Sequence, residues 1–427
     1  MRIVLLPAFC LLCAPSSAQD HISYFTGSNT DVVGQPLGGV VLMGGATESD
    51  EAMQWFLQRA SGGDVLVIRA SGSDGYNNYM YNELGIPVNS VETIVFYNAN
   101  ASNDPYVHER IQQAEAIWIA GGNQWNYVDY WRNTPVDSLI NVAIQERNIV
   151  IGGTSAGMAI LGGIYYTAQN ASVTSAQALQ DPFHVDITLS DAPFIQVPGL
   201  ESVITDTHYD DPDRRGRHTV FLARAIADLG ITDAIGIACE EYTAVCIADD
   251  GIAHVFGSYP QYEDHAWFVQ ANCMTSMVPE VFVPGTPLTW DHEGMAIKAC
   301  KVPGTTTGQY SFDLNDRITT NGGVWEDWYV QNGSLQTTAG TSAPECTVGI
   351  GHVAFSGSQL YADPVHGGYW LSGMEHVATI RCLDMQGRVV EEIRPTSDPQ
   401  WLPAPNAPMI LECASERGKQ GFRLMPF

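Results

Sequence analysis

A serine enclosed by glycines, Ser155, is the leading candidate for a nucleophile in this sequence. It lies in GTSAG, residues 153–157, which matches the G-x-S-x-G pattern of a nucleophile elbow. The apolar run at 149–151 predicts a buried parallel strand before the turn, and small residues open a helix after it. In such an elbow the glycines permit a strained turn that exposes the hydroxyl, and the next amide can hold an oxyanion. The alternative interpretation is an ordinary glycine-rich turn between a strand and a helix.

A serine nucleophile requires a general base, and His208 is the best placed of the 11 histidines. The apolar segment 202–205 predicts a strand that ends just before it. His208 would then lie at the same carboxyl edge of a sheet as Ser155. We interpret His184 and His218 as structural histidines that are hydrogen-bonded in loops.

The segment around His208 also contains residues that could bind a metal. These are Asp206, His208, Asp210 and Asp211. Their spacing suits no familiar zinc pattern, so the sequence predicts no metal site. It implies no organic cofactor either.

Composition and charge limit the classes of partner. The 427 residues are 45% hydrophobic and 15% charged, which is typical of a globular chain with two or three domains. Nineteen basic residues against 47 acidic ones give a net charge of -28. This charge argues against nucleic acid and anionic membranes as partners. It favours cationic ligands, or serves solubility alone.

Strands and helices alternate from residue 38 to the elbow. The predicted strands are 38–46, 64–72, 90–98 and 116–124, and the predicted helices are 49–60, 105–114 and 138–147. This alternation predicts an α/β fold, with a parallel sheet and helices on both of its faces. Ligands should gather at the carboxyl ends of the strands, where 69–75, 120–124 and 152–157 fall.

The first 18 residues have the pattern of a secretory signal, with a basic start, an apolar run and a cleavage site after Ala18. We therefore expect a secreted or cell-surface protein without membrane insertion. Removing Cys10 and Cys13 with the signal leaves seven of the nine cysteines, so at least one is unpaired. Cys239 and Cys246 lie in a predicted hairpin, where they could face each other or be small buried residues.

From about residue 251 the helical pattern gives way to short strands and turns, which predict an antiparallel β extension of a domain spanning 19–332. Residues 333–349 are polar and small, as in a linker. Residues 350–427 read as a small β-sandwich of strands and turns. A generic accessory module that binds carbohydrate is one interpretation, given Trp370 and Trp401.

Three motifs together resemble the cyanophycinase family, serine exopeptidases of the S51 group that are related to aspartyl dipeptidases. The motifs are GGNQ (121–124), GTSAGMAI (153–160) and DTHYDDPDRRGR (206–217). The resemblance implies a flavodoxin-like or class I glutaminase-like fold. It also implies that Ser155 is the nucleophile and His208 the general base, and that the oxyanion hole comprises the amides of Ala156 and of Gly122 or its neighbour.

The same resemblance implies a set of substrate-binding residues: Gln124, Asp206, Thr207, Arg214 and Arg217. A β-aspartyl linkage leaves a free α-carboxylate, which an arginine can bind in bidentate fashion. Asp206 could balance a cationic group. The alternative is that the two arginines are solvated and pair with loop aspartates. Thr207 and Pro212 depart from the glutamine and arginine usual in the family, which leaves the substrate preference open.

The acidic member of a triad is less evident, because no Asp or Glu lies between Ser155 and Asp181. The candidates are Asp181, Asp186, Glu240 and Glu241. We favour Glu241, because it follows an apolar strand at 234–239 and could reach His208.

The C-terminal module also resembles the sorting domain of proteins exported by type IX secretion. ADPVHGG (362–368) stands at the position of a Pro-Asn-Pro-like turn, and LDMQGR (383–388) matches the central hairpin. Ala362 and Asp363 depart from that turn.

We therefore expect a secreted serine peptidase, a hydrolase that releases β-aspartyl dipeptides from poly(Asp-Arg) or cleaves short isoaspartyl peptides. An esterase or amidase of the α/β-hydrolase type is a second interpretation, and a degenerate surface binding module is the non-enzymatic one. The partner would be a peptide or polymer with β-aspartyl linkages. The sequence leaves open whether the chain forms a homodimer.

Overall fold

A computed structural model describes residues 19–273 and 275–344, and beyond them the ranges 359–363, 368–372, 379–383, 388–394, 400–403, 409–415 and 418–424. The chain divides into two compact units, Met1–Pro344 and Glu345–Phe427. The predicted signal peptide, residues 1–18, lies outside the described residues. None of the described helices is both long and apolar enough to cross a membrane.

The first unit contains helices and strands in alternation. Its α-helices are α1 (Asp50–Arg59), α2 (Gly75–Asn78), α3 (Pro105–Gln113), α4 (Gln124–Trp131), α5 (Pro135–Arg147), α6 (Ala156–Ala159), α7 (Ser175–Gln180) and α8 (Arg215–Ala227). Its first ten strands are β1 (His21–Gly27), β2 (Val40–Met43), β3 (Asp64–Arg69), β4 (Ser90–Phe96), β5 (Ala116–Ile119), β6 (Val150–Thr154), β7 (Tyr165–Tyr166), β8 (Leu189–Ser190), β9 (Val203–Asp206) and β10 (Ile235–Cys239). The remaining strands are β11 (Ala244–Ile247), β12 (Ile252–Phe256), β13 (His265–Ala271), β14 (Ile297–Pro303), β15 (Ser311–Asp313), β16 (Thr320–Asn321), β17 (Val324–Gln331) and β18 (Ser334–Thr341). Short helical segments span Tyr79–Glu83, Ala99–Asn103 and His292–Gly294.

Side chains at the helix starts explain where several helices begin. The hydroxyl of Ser49 accepts the Ala52 N–H at the start of α1, and the Asp104 carboxylate accepts the Tyr106 N–H at the start of α3. Such caps satisfy amides that have no partner within the helix. The predicted helices over 49–60 and 105–114 therefore match the structure closely.

A ten-stranded sheet has the order β1-β4-β3-β5-β6-β2-β11-β12-β15-β16. Its central strands, from β4 to β2, are parallel, and the flanking strands are antiparallel. Helices α3 and α5 pack on one face through residues such as Ile111 and Ile140, and α1 packs on the other through Phe56. The predicted α/β fold, with a parallel sheet flanked by helices, is confirmed.

A second sheet has six strands in the order β18-β17-β14-β13-β10-β9, in which β9 and β10 are parallel and the other pairs are antiparallel. The hairpin predicted around Cys239 and Cys246 is wrong, because β10 belongs to this sheet and β11 to the first one. Both cysteines are free and buried, as expected for small apolar side chains. Cys273, by contrast, is disulfide-bonded.

The structure differs from the sequence prediction in part of the proposed linker, residues 333–349, of which 345–349 lie outside the described residues. Ser334–Thr341 form β18, which pairs antiparallel with β17. This strand is an exposed edge of the second sheet, so its outward side chains are polar although its backbone is regularly paired. Low hydrophobicity is therefore shared by an exposed edge strand and a linker, and it does not distinguish them in a sequence.

The second unit contains two small antiparallel sheets. Its strands are β19 (Gln359–Asp363), β20 (Gly368–Ser372), β21 (Thr379–Leu383), β22 (Val389–Ile393), β23 (Gln400–Pro403), β24 (Met409–Ser415) and β25 (Gly418–Leu424). The sheet orders are β19-β20-β23 and β22-β21-β24-β25. Leu371, Ile380 and Leu411 are fully buried. Residues 364–367 and 384–387, which carry much of the resemblance to a sorting domain, lie outside the described residues.

Candidate active site

Ser155 lies in the turn between β6 and α6, with φ 51° and ψ −115°. This backbone conformation is costly for a residue with a Cβ atom, by about 1–3 kcal/mol. The flanking glycines have a different function from the one that the sequence suggested. A Cβ atom on Gly157 would lie 2.0 Å from the Ile119 carbonyl oxygen, and one on Gly153 would lie 2.5 Å from the Gly157 carbonyl carbon. The glycines thus provide space for close packing, whereas the positive φ belongs to the serine itself.

His208 follows β9 and faces Ser155 from the second sheet. Its Nε2 lies 2.8 Å from the Ser155 Oγ, and its backbone N–H donates to the Gly44 carbonyl oxygen at 2.8 Å. Gly45, just beyond β2, makes room for the ring, since a Cβ atom there would lie 2.3 Å from the His208 Cε1. The site therefore joins the carboxyl ends of β6 and β2 in the first sheet to that of β9 in the second.

Glu241 supplies a carboxylate behind the histidine. Its Oε1 lies 2.5 Å from the His208 Nδ1. Glu241 lies in the crossover from β10 to β11, where the chain passes from the second sheet to the first. The side chains of His208 and Glu241 are 24% and 25% exposed, so solvent reaches this pair. Ser155, His208 and Glu241 thus form one continuous hydrogen-bonded chain.

The other candidate acids have different partners. Glu240 is buried and accepts the His265 N–H at 2.9 Å and the Trp267 Nε1–H at 3.0 Å. Asp181 accepts the backbone N–H groups of Phe183 and Gly285. Asp186 lies 3.6 Å from the His184 Nδ1. Of the four carboxylates considered from sequence, the structure brings Glu241 to His208.

His218 has the structural position expected of it, although it lies in α8 rather than in a loop. Its Nδ1 is 3.0 Å from the Tyr209 hydroxyl and its Nε2 is 3.2 Å from the Ile204 carbonyl oxygen. Burial lowers its pKa, so the ring is held neutral inside the fold.

Among the described residues, no group of three or more His, Cys, Asp or Glu side chains could hold a metal ion.

Two backbone segments flank Ser155 where an oxyanion would form. Ala156 begins α6, so its N–H belongs to the first turn, where amides have no partner within the helix. On the other side, a Cβ atom on Gly121 would lie 3.6 Å from the Ser155 Cβ. The corresponding position on Gly122 lies 2.7 Å from the Tyr127 hydroxyl. The open side of Gly121 therefore faces the serine, whereas that of Gly122 faces Tyr127.

Asp206 and Arg217, two of the predicted substrate-binding residues, pair with each other. The Asp206 oxygens accept from the Arg217 Nε at 2.8 Å and Nη2 at 2.5 Å. The residues are only 3% and 5% exposed. Burial alone would raise the pKa of Asp206, but the Arg217 guanidinium outweighs it and holds that pKa below its ordinary value. Both charges are satisfied inside the protein, and a contact of either residue with substrate stays a prediction.

Arg217 is further anchored on the side away from Asp206. Its Nη1 donates to the Val173 carbonyl oxygen at 3.2 Å, and its guanidinium lies over the rings of Tyr166 and Phe221. The buried ion pair thus connects the end of β9 to the first turn of α8. It fixes the start of the loop that carries His208.

Arg214 has a different environment from Arg217. Its Nη1 donates to the Thr207 carbonyl oxygen at 2.9 Å, and among the described residues no carboxylate forms a salt bridge with it. Burial, followed by the neighbouring Arg217, lowers its pKa. Thr207 itself is buried, and the Gln124 side-chain amide donates to the Tyr166 carbonyl oxygen. The alternative in which Arg214 and Arg217 both pair with the aspartates at 210, 211 and 213 is not what the structure shows.

Part of the chain is similar to known peptidases. Residues 40–189 match the model of Peptidase family S51. Cyanophycinase from Synechococcus elongatus is 24% identical over 229 residues, which cover 52% of this chain and 66% of the relative. Cyanophycinase from Trichormus variabilis is 23% identical over 231 residues, which cover 51% and 70%. These matches support the S51 peptidase family.

The matched model describes a family of peptidases, and both of these relatives are cyanophycinases. The chain spans 66% of the length of the Synechococcus relative, just under two thirds. The crystal structure of a peptidase from an acI-B1 Actinobacterium aligns with a TM-score of 0.39 and 16% identity, covering 53% of this chain and 89% of that one.

The S51 match contains Ser155 but ends before His208 and Glu241. Both of these residues come from the second sheet or its crossover, and no local pattern in the sequence links them to the elbow. The sequence nevertheless predicted His208 and Glu241, whereas it did not reveal the function of Gly45 or the pairing of Asp206 with Arg217. The glycines that end β2 were the only local signal for the space that His208 occupies.

Proposed function

We propose that this chain is a serine peptidase that acts through an acyl-enzyme on Ser155. The observation that carries the proposal is the 2.8 Å contact between the strained Ser155 hydroxyl and the His208 Nε2. Glu241 is the proposed third member, since its carboxylate accepts from the Nδ1 of the same ring. A carboxylate at Nδ1 selects the tautomer in which Nε2 has a free lone pair, and this nitrogen can then accept the serine proton.

The reaction would proceed in two steps. The Ser155 oxygen attacks the scissile carbonyl as His208 takes its proton, and the imidazolium then protonates the leaving amine. Water, activated by His208, later releases the acyl group. The amide of Ala156, with that of Gly121 or Gly122, would stabilise the negative oxygen of each tetrahedral intermediate.

We propose that the substrate contains β-aspartyl linkages, as in cyanophycin-like poly(Asp-Arg) or a short isoaspartyl peptide. Arg214 supports this proposal, because a half-buried guanidinium that forms no salt bridge with any described residue is suited to a substrate carboxylate. The net charge of -28 favours approach of a polymer with basic side groups. The distant likeness to cyanophycinases points in the same direction.

We also propose that the protein is secreted or held at the cell surface. The signal-like pattern of residues 1–18 and the resemblance of the C-terminal module to a sorting domain support export. Fractionation of the source organism, with mass spectrometry of the N-terminus, would test this. An N-terminus at Met1 in a cytoplasmic fraction would contradict it.

Labelling with a fluorophosphonate tests the nucleophile. We expect stoichiometric labelling of Ser155 in the folded protein and none in Ser155→Ala. Without labelling of the folded protein, the degenerate binding module becomes the better interpretation.

Substrate class requires a separate comparison of poly(Asp-Arg), an isoaspartyl dipeptide and a simple ester. Release of β-aspartyl dipeptides from the polymer supports the cyanophycinase-like activity, and cleavage of the isoaspartyl dipeptide alone supports a dipeptidase. Cleavage of the ester alone would refute the β-aspartyl assignment.

A further inference from the structure

Hydrogen bonds connect three segments around the contact between His208 and Glu241. We call these the β2 exit (residues 44–45), the His208 loop (residues 207–214) and the Glu241 turn (residues 239–243). Four bonds join backbone groups: His208 N–H to Gly44 O at 2.8 Å, Tyr209 N–H to Cys239 O at 3.2 Å, Gly44 N–H to Thr243 O at 2.9 Å and Tyr242 N–H to Gly45 O at 3.1 Å. A fifth bond uses a side chain, because the Asp210 Oδ1 accepts the Glu241 N–H at 2.9 Å.

The backbone bonds bring the three segments together, but they do not involve the N–H of Glu241. That N–H is held by Asp210, two residues after His208 on the same loop. Asp210 thus connects the loop that carries the base directly to the residue that carries the acid.

We propose that Asp210 is a positioning residue for Glu241, an assignment that rests on the proposed peptidase function. By accepting the Glu241 N–H, it fixes the peptide from which the Glu241 side chain extends toward His208. The bond is charge-assisted, and therefore stronger and more directional than one between neutral groups. A site of this type depends on geometry held to within about 0.5 Å, so loss of the bond should weaken the 2.5 Å contact between Glu241 and His208.

The expected effect is moderate because Asp210 is exposed and water can replace part of the bond. We expect Asp210→Ala to lower kcat by roughly threefold to tenfold. KM should stay unchanged, since the arginine proposed to bind substrate is not held by Asp210. Asp210→Asn should retain most of the activity, because its amide oxygen can accept the same N–H.

Asp211 offers a matched control. It is the adjacent exposed aspartate, and within the described part of the chain its carboxylate has no hydrogen-bond partner. Asp211→Ala removes the same charge from the same loop and should leave kcat unchanged. Equal losses in Asp210→Ala and Asp211→Ala would overturn the inference, because the effect would then come from loop charge.

Proton NMR of the full chain gives a readout that does not depend on substrate. A proton shared between the His208 Nδ1 and Glu241 should give a far-downfield resonance, assigned by its loss in His208→Gln. We expect Asp210→Ala to shift or broaden this resonance, and Asp210→Asn and Asp211→Ala to leave it in place, with circular dichroism confirming that each variant is folded.

The NMR and labelling assays test the positioning of Glu241 by Asp210 separately from the proposed peptidase function. If the resonance responds as expected but Ser155 is not labelled by a fluorophosphonate, the peptidase proposal fails and the positioning by Asp210 stands. If the resonance is absent from the wild type, or if Asp210→Ala changes neither resonance nor kcat, the inference is wrong.

Discussion

Replacing Arg217 with methionine should destabilise the fold strongly, whereas the same change at Arg214 should not. The two residues lie three positions apart, at the start of α8, and the sequence motif suggests the same function for both. In the structure, Arg217 is 5% exposed and binds both oxygens of Asp206. Arg214 is half-buried and donates to the carbonyl oxygen of Thr207.

The expected loss of unfolding free energy depends on which charges and polar groups each substitution leaves without a partner. Arg217→Met leaves the Asp206 carboxylate buried without a counter-charge, which typically costs about 3–5 kcal/mol of unfolding free energy. It also removes the donor to the Val173 carbonyl oxygen. Arg214→Met removes two hydrogen bonds from a partly solvated group, one to the Thr207 carbonyl oxygen and a longer one to the Thr207 hydroxyl. It should cost about 1 kcal/mol.

Urea unfolding followed by tryptophan fluorescence measures both changes. Arg214→Met also differs from Arg217→Met in its expected effect on activity. It should stay folded but lose kcat/KM on substrates with a free α-carboxylate. In the double variant Asp206→Asn/Arg217→Met, the stranded charge is absent, so part of the lost stability should return. The reasoning is refuted if Arg217→Met unfolds within about 1 kcal/mol of the wild type, or if Arg214→Met is the less stable of the two.

Three further predictions concern the stability of the fold in acid, the space around the His208 ring and the function of Glu241. Because the folded-state pKa of Asp206 is held below its ordinary value, its ion pair contributes stability fully above about pH 4. That contribution is lost as the pH falls toward the folded-state pKa, and Asp206→Asn should show a weaker acid destabilisation in urea titrations at each pH. Gly45→Ala should abolish fluorophosphonate labelling, because its Cβ would lie 2.3 Å from the His208 ring. Gly62→Ala is the control, because Gly62 also has a positive φ, 77°, but the atom nearest to an added Cβ lies 4.0 Å away. Glu241→Gln should lower kcat by about a thousandfold to ten-thousandfold without abolishing it, as steady-state kinetics would show; full activity would remove Glu241 from the triad.

Short-range patterns were sufficient for the first half of the domain. Alternating apolar and amphipathic segments predicted β3, β4 and β5 and the helices α1, α3 and α5, because buried parallel strands and capped helices have local signatures. The elbow around Ser155 was likewise visible, since close packing at Gly153 and Gly157 demands glycine at fixed spacing.

Local patterns were misleading where the two sheets meet. The segment from β10 to β11 looks like a hairpin, because a hairpin and a crossover between sheets have the same sequence of strand, turn and strand. The strand β18 looks like a linker, because an exposed edge needs no apolar side chains.

The sequence by itself determined the parallel sheet, the serine elbow and the strand-end position of His208, because each depends on residues close together in the chain. Tertiary structure alone decided that Glu241 reaches His208, that Gly45 makes room for the ring, and that Arg217 binds Asp206 while Arg214 binds the Thr207 carbonyl oxygen. These last features depend on distances between segments of two different sheets, and such distances are fixed by packing rather than by any local preference of the chain.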